Sequence, residues 1–176
     1  MNDCNKIVEL LNSSEEIPKP KILLWMQLKD ITAQGALYFL TNEKWDQIKP
    51  ELTTDEICNF ILKYLTTCIK ENPPSADFIH TRYEAGWELS NWIKHLYAKG
   101  PQTHEWIFKI IHRLKNLYLE GSPEIQDCIV TATLEHIFED KQLVKLFNDW
   151  PTDPKLNLAY EQALQWAQAI WNEAEG

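Results

Sequence analysis

His80, Glu84 and Glu88 follow one another at intervals of four residues, so on a helix all three side chains project from one face. An imidazole and two carboxylates so placed could ligate a divalent metal and serve a metal-dependent enzyme. The same spacing also describes the wet side of an ordinary helix. Di-metal bundle sites need Glu-x-x-His pairs on two helices, and the chain has neither such a pair nor HExxH. Glu135 and His136 are adjacent, about 100° apart on a helix, and cannot share one ligand geometry. The cysteines (Cys4, Cys58, Cys68, Cys128) form no CxxC, and no histidine stands at zinc-finger spacing from them. Cys58, Cys68 and Cys128 fall in helical segments, where a reduced, packed thiol is the usual state. There is no GxSxG, no Walker loop and no GxGxxG, and five glycines leave little material for a phosphate-cradling loop. The expectation is therefore no catalytic, cofactor or metal site, with an enzyme built on His80, Glu84 and Glu88 as the outlying alternative.

The elements that carry these residues read as helices. Residues 2–13 make a short amphipathic helix with Ile7, Leu10 and Leu11 on its apolar edge, and Pro18 and Pro20 end it. The run from Lys21 to Leu40 reads as one long helix, weakened at Ile31–Thr32 and Gly35, with a strand at residues 22–25 or 36–40 as the alternative. Thr53 and Glu56 have the spacing of a capping box, opening a helix with Ile57, Phe60, Ile61, Tyr64, Leu65 and Cys68 at core positions. Asn72-Pro73-Pro74 stops it. The next helix is expected from a cap at Ser75 to about Lys99. Its core face holds Ile79, Gly86, Leu89, Ile93 and Leu96, its polar face His80, Glu84 and Glu88, and its shoulder Tyr83 and Trp87.

An internal echo organises the middle of the chain. Residues 93–101 and 114–123 repeat Leu-Tyr followed by Gly and Pro at a shift of 21 residues. Gly100 and Gly121 stand where a helix favours a left-handed residue, and Pro101 and Pro123 stand at helix starts. Two such junctions imply three consecutive helices joined by short turns, in the style of stacked helical-repeat layers. The third, Gly121 to Phe138, is apolar on two sides and keeps a single polar seam of Asp127, Thr131 and Glu135. Lys141 to Asn148 gives a short helix, Trp150-Pro151 breaks it, and Asp153 caps a last helix that Pro154 starts. The expected fold is all-α: a single-domain antiparallel helical bundle over 1–176 with stacked helical-repeat-like layers and about seven helices. Residues 1–72 form N-terminal helices, 75–139 a three-helix core, and 140–176 the closing helices.

With 44% apolar and 24% charged residues the composition is globular, and no window approaches the ~20 apolar residues of a membrane span. Nor does the N-terminus read as a targeting signal; the expected location is the cytoplasm. The net charge of −9 is uneven: residues 1–75 carry −3, 76–120 carry +1 and 121–176 carry −7. Such a surface repels phosphate, which disfavours direct nucleic-acid binding and suits a basic protein partner. Lys109, Arg113 and Lys115 read as the wet side of their helix. Eight tryptophans exceed what a small core needs. Trp87 lies about 120° from its helix's core centre and Trp45 in a loop. Aromatic side chains beside carboxylates are the material of protein interfaces. The candidate partner-binding residues are Tyr83, Glu84, Trp87 and Glu88 from one helix and Asp127, Thr131 and Glu135 from the other.

The helical layers and the run from Thr131 to Trp166, with Leu134-Glu135-His136, Asp149-Trp150 and Ala159-Tyr160-Glu161, resemble small bacterial immunity proteins. Those proteins accompany polymorphic toxins and contact-dependent growth-inhibition systems, and the resemblance spans residues 76–171. It implies a cytosolic protein that binds one cognate toxin domain in a 1:1 complex and blocks it. The toxin would be a basic nuclease, including those that cleave transfer RNA. The alternative is a helical-repeat scaffold or adaptor for another cytosolic protein.

Overall fold

The computed structural model describes residues 2–174. The described chain is 78% helical, in nine helices rather than about seven, with two strands of two residues each. It divides into two compact units. One comprises the residues up to Cys68 together with Asn72–Thr81; the other comprises Ile69–Glu71 and the chain from Arg82 onward. No helix is long and apolar enough to cross a membrane.

In the first unit, α1 (Asp3–Leu11) starts where the Asn2 side chain accepts the Asn5 N–H at 2.9 Å, and it buries Ile7 against α3. The strands β1 (Ile17–Pro18) and β2 (Ile48–Lys49) pair in parallel, with Ile17 opposite Ile48 and both side chains buried. The long helix expected over 21–40 is two: α2 (Lys19–Trp25) and α3 (Ile31–Glu43). Asp30 decides the break, because its carboxylate accepts the Thr32 N–H at 3.0 Å and so caps a new helix. The Gln34 amide closes the turn by donating to the Leu28 carbonyl at 2.5 Å. The capping box of α4 (Thr54–Glu71) forms as expected. The Glu56 N–H donates to Thr53 Oγ1 at 3.2 Å, and the Thr53 N–H donates to Glu56 Oε2 at 2.7 Å. Asn72, at φ 46°, ends the helix in the left-handed region.

The stretch after Asn72 differs from expectation. The helix forecast from Ser75 begins only at Arg82, as α5 (Arg82–Lys99). Residues 73–81 instead return over the first unit. The Phe78 carbonyl there lies so close to Gly35 of α3 that any Cβ at Gly35 would overlap it. His80 is 8% exposed, with its Nδ1 2.9 Å from the Tyr64 hydroxyl and its ring stacked on Phe39. Burial lifts the Tyr64 hydroxyl far above its ordinary pKa, so it stays a protonated hydrogen-bonding group.

In the second unit, Gly100 (φ 101°) and a single turn at Pro101–Thr103 lead into α6 (His104–Glu120). The Thr103 hydroxyl donates to the Leu96 carbonyl at 2.5 Å. Gly121 is not the left-handed residue expected: its φ is −78°. It is a glycine because a Cβ there would overlap the Leu117 carbonyl oxygen and crowd the Ile125 side chain. The central helix α7 covers residues 123–138 as α-helical Pro123–Cys128, π-helical Ile129–Leu134 and α-helical Glu135–Phe138. It contacts α5, α6 and the last helix, burying Ile129, Leu134, Ile137 and Phe138 completely. A short α8 (Lys141–Val144) comes next. Asp153 then caps α9 (Pro154–Ala174), accepting the Lys155 and Leu156 N–H groups at 2.9 and 3.2 Å. Phe138, Phe147 and Trp150 form an edge-to-face aromatic chain, with centroids 5.3 and 5.5 Å apart.

Candidate protein interface

The candidate surface starts from a close approach of two helices. Gly86 of α5 faces Cys128, Ala132 and Thr133 of α7, where even a methyl group would meet atoms at 3.0–3.1 Å. The Thr133 hydroxyl, fully buried, donates to the Gly86 carbonyl at 3.1 Å, and the Cys128 thiol donates to the Arg82 carbonyl at 3.2 Å. Burial pushes that thiol up to about 12, so it is a packed group rather than a nucleophile. These side chain–backbone bonds lock the π-helical turns against α5. Within those turns the Glu135 N–H reaches back five residues, to the Val130 carbonyl.

This contact brings Tyr83 of α5 to Asp127 of α7, and Trp87 to His136. Tyr83 donates its hydroxyl to Asp127 Oδ2 at 2.5 Å, and the carboxylate raises the phenol to about 12. Trp87, one turn along α5, meets the His136 ring edge-on at 6.4 Å. Both aromatic side chains remain half in water, Tyr83 at 46% and Trp87 at 51% exposure. Thr131 donates to the Asp127 carbonyl at 2.9 Å. Glu135 stands one turn later. Its carboxyl lies above the usual range through partial burial, which His136 opposes and the like charge of Asp127 reinforces. Glu84 and Glu88 sit one residue on from the two aromatics, about 100° round α5, Glu84 exposed and Glu88 half-buried.

Neither Asp127 nor Glu135 forms a salt bridge with any described lysine, arginine or histidine. The nearby cations have other partners. The Arg82 guanidinium donates to the Ile69 and Lys70 carbonyls at 2.8 and 3.3 Å, at the end of α4. Lys94 pairs with Glu139 at 3.0 Å, and Glu139 also holds His136 Nδ1 at 3.1 Å. Burial opposes ionisation of Glu139, but those two neighbours outweigh it and hold the carboxyl below its ordinary value.

His80 lies outside the helix that carries Glu84 and Glu88, buried in an aromatic pocket of the first unit, so the single helix face expected of the three does not form. The described residues contain no group of three or more His, Cys, Asp or Glu side chains placed to hold a metal ion. Thr81-x-x-Glu84 has capping-box spacing and marks the true helix start in the sequence. His136 is the residue that sequence reasoning missed. It lies one turn beyond Ala132, past the π-helical turns, and meets Trp87 and Glu139. The signal lies in the run Ile129-Val130-Thr131-Ala132-Thr133, whose β-branched residues and hydroxyls disfavour regular α-helix. No protein-family model, curated protein or solved structure matches this chain.

Proposed function

We propose that this chain is an inhibitor of the immunity type, which binds a basic toxin domain and covers its active site or substrate groove. One observation carries the reading: Tyr83, bonded to Asp127, and Trp87, against His136, stay exposed on a face where Asp127 and Glu135 have no salt-bridge partner among the described residues. Half-exposed aromatics on a face with unpaired carboxylates suit a positively charged partner, which would desolvate the rings and neutralise the acids together. The charge of −7 over residues 121–176 adds long-range attraction for the same partner. A nuclease that grips RNA phosphates offers such a surface. The reading carries with it a 1:1 complex, a cytoplasmic location, antiparallel packing of the helices in 75–139, and no catalytic activity of the chain itself.

The test is capture of the toxin domain encoded in the adjacent reading frame. The purified chain should bind it below micromolar concentration and abolish its nuclease activity at one equivalent. No binding at micromolar concentration overturns the proposal.

A further inference from the structure

We infer that the partner presents an arginine to this surface, its guanidinium laid against the exposed part of Trp87 and paired with the carboxylates of Glu135 and Asp127. The inference rests on the reading of the chain as an inhibitor of a basic protein and names the chemistry of contact. Three observations carry it. Trp87 is 51% exposed although it lies beside a well-packed helix contact, so its indole is available to a planar cation. The two acids have no salt-bridge partner among the described residues, and Arg82 and Lys94 of α5 are held by the Ile69 carbonyl and by Glu139. The groups are also fixed in advance. Tyr83 holds the Asp127 carboxylate at 2.5 Å, and His136, held by Glu139 at 3.1 Å, buttresses the Trp87 ring. Side chains already ordered lose little entropy on binding.

The geometry favours arginine over lysine. A guanidinium is flat, sheds water more readily, and can stack on a ring while its edge donates to carboxylates. An ammonium offers a compact charge that fits one of those contacts at a time. Partial desolvation of Glu135, which lifts its carboxyl above the ordinary range, is what a site awaiting a cation would show.

The full chain is titrated with acetylated, amidated tetra-arginine and tetra-lysine peptides at low salt, following the Trp87 indole N–H by NMR, with W87F to assign it. The expected result is about five-fold tighter binding of the arginine peptide, with the Trp87 resonance shifting. Both Trp87→Ala and Glu135→Gln should remove the preference; each side chain is partly exposed, so both variants retain the fold. Equal binding of the two peptides, or an arginine preference that survives Trp87→Ala, overturns the inference. Capture of the toxin domain is measured with the same proteins. If the variants bind it as the parent does, the arginine contact falls and the inhibitor reading stands. If the parent discriminates the peptides but captures no toxin domain, the inhibitor reading falls and the arginine site stands.

Discussion

Glu135 carries its charge at some expense to folding. Partial burial and the neighbouring Asp127 raise its carboxyl above the ordinary 4.5. A carboxyl whose folded value is raised supports folding while protonated in both states, and it loses that support as pH climbs through the folded value. At pH 7 the ionised group is therefore a small liability, discounted because much of it meets water. Glu135→Gln should melt at the same temperature as the parent or slightly higher at pH 7, and the difference should vanish below about pH 4. Thermal melts at the two pH values check this. A clearly lower melting temperature for Glu135→Gln at pH 7 would mean that the carboxylate is structural. At this scale the sequence was legible wherever a side chain bonds its own neighbourhood. Thr53 with Glu56 and Asp153 with Lys155 are caps formed within three residues, so local spacing predicts them. The bond from Tyr83 to Asp127 joins residues 44 apart, and no local pattern announces it.

Helices α3 and α7 show where element-level reasoning holds and where it yields. Their helical character comes from apolar spacing and from Pro123 at a helix start. Their details are set by what they touch. Gly35, which in isolation weakens α3, is required there because the Phe78 backbone crosses against it. Gly35→Ala should cost about 3 kcal/mol, since the obstacle is backbone and cannot rotate away. A urea titration followed by far-UV circular dichroism reads the loss, and a midpoint equal to the parent's would show that the 73–81 stretch moves aside freely. In α7 the π-helical turns let Thr133 reach the Gly86 carbonyl and bury Cys128, Ile129, Val130, Ala132, Thr133 and Leu134 over seven positions. Burial of every residue in that run but Thr131 is the pattern of a helix apolar on two sides, with Asp127, Thr131 and Glu135 as its more exposed seam.

Charge is the property of the whole molecule that bears most directly on partner choice. A net −9, concentrated after residue 121, should steer a basic partner before any contact forms. If the chain is the proposed inhibitor, its association with the toxin domain should slow about ten-fold between 0.05 and 0.5 M salt while dissociation changes little, because screening acts on the approach. Stopped-flow or surface-binding kinetics would show it, and a salt-independent association rate would remove electrostatic steering from the reading. The amino-acid sequence by itself determined that this chain is helical, where most helices start and stop, and that Trp87 stands off its core face. Those properties depend on hydrophobic period, proline and caps, all of which act within a few residues. Only the tertiary structure decided between Ser75 and Thr81 as the place where α5 opens, and that α7 winds through π-helical turns. In each case packing and hydrogen bonds to distant residues outweigh local preference: His80 is drawn into the Tyr64–Phe39 pocket, and Thr133 bonds Gly86 across two helices. That same close contact at Gly86 is what sets Tyr83 beside Asp127 and Trp87 beside His136.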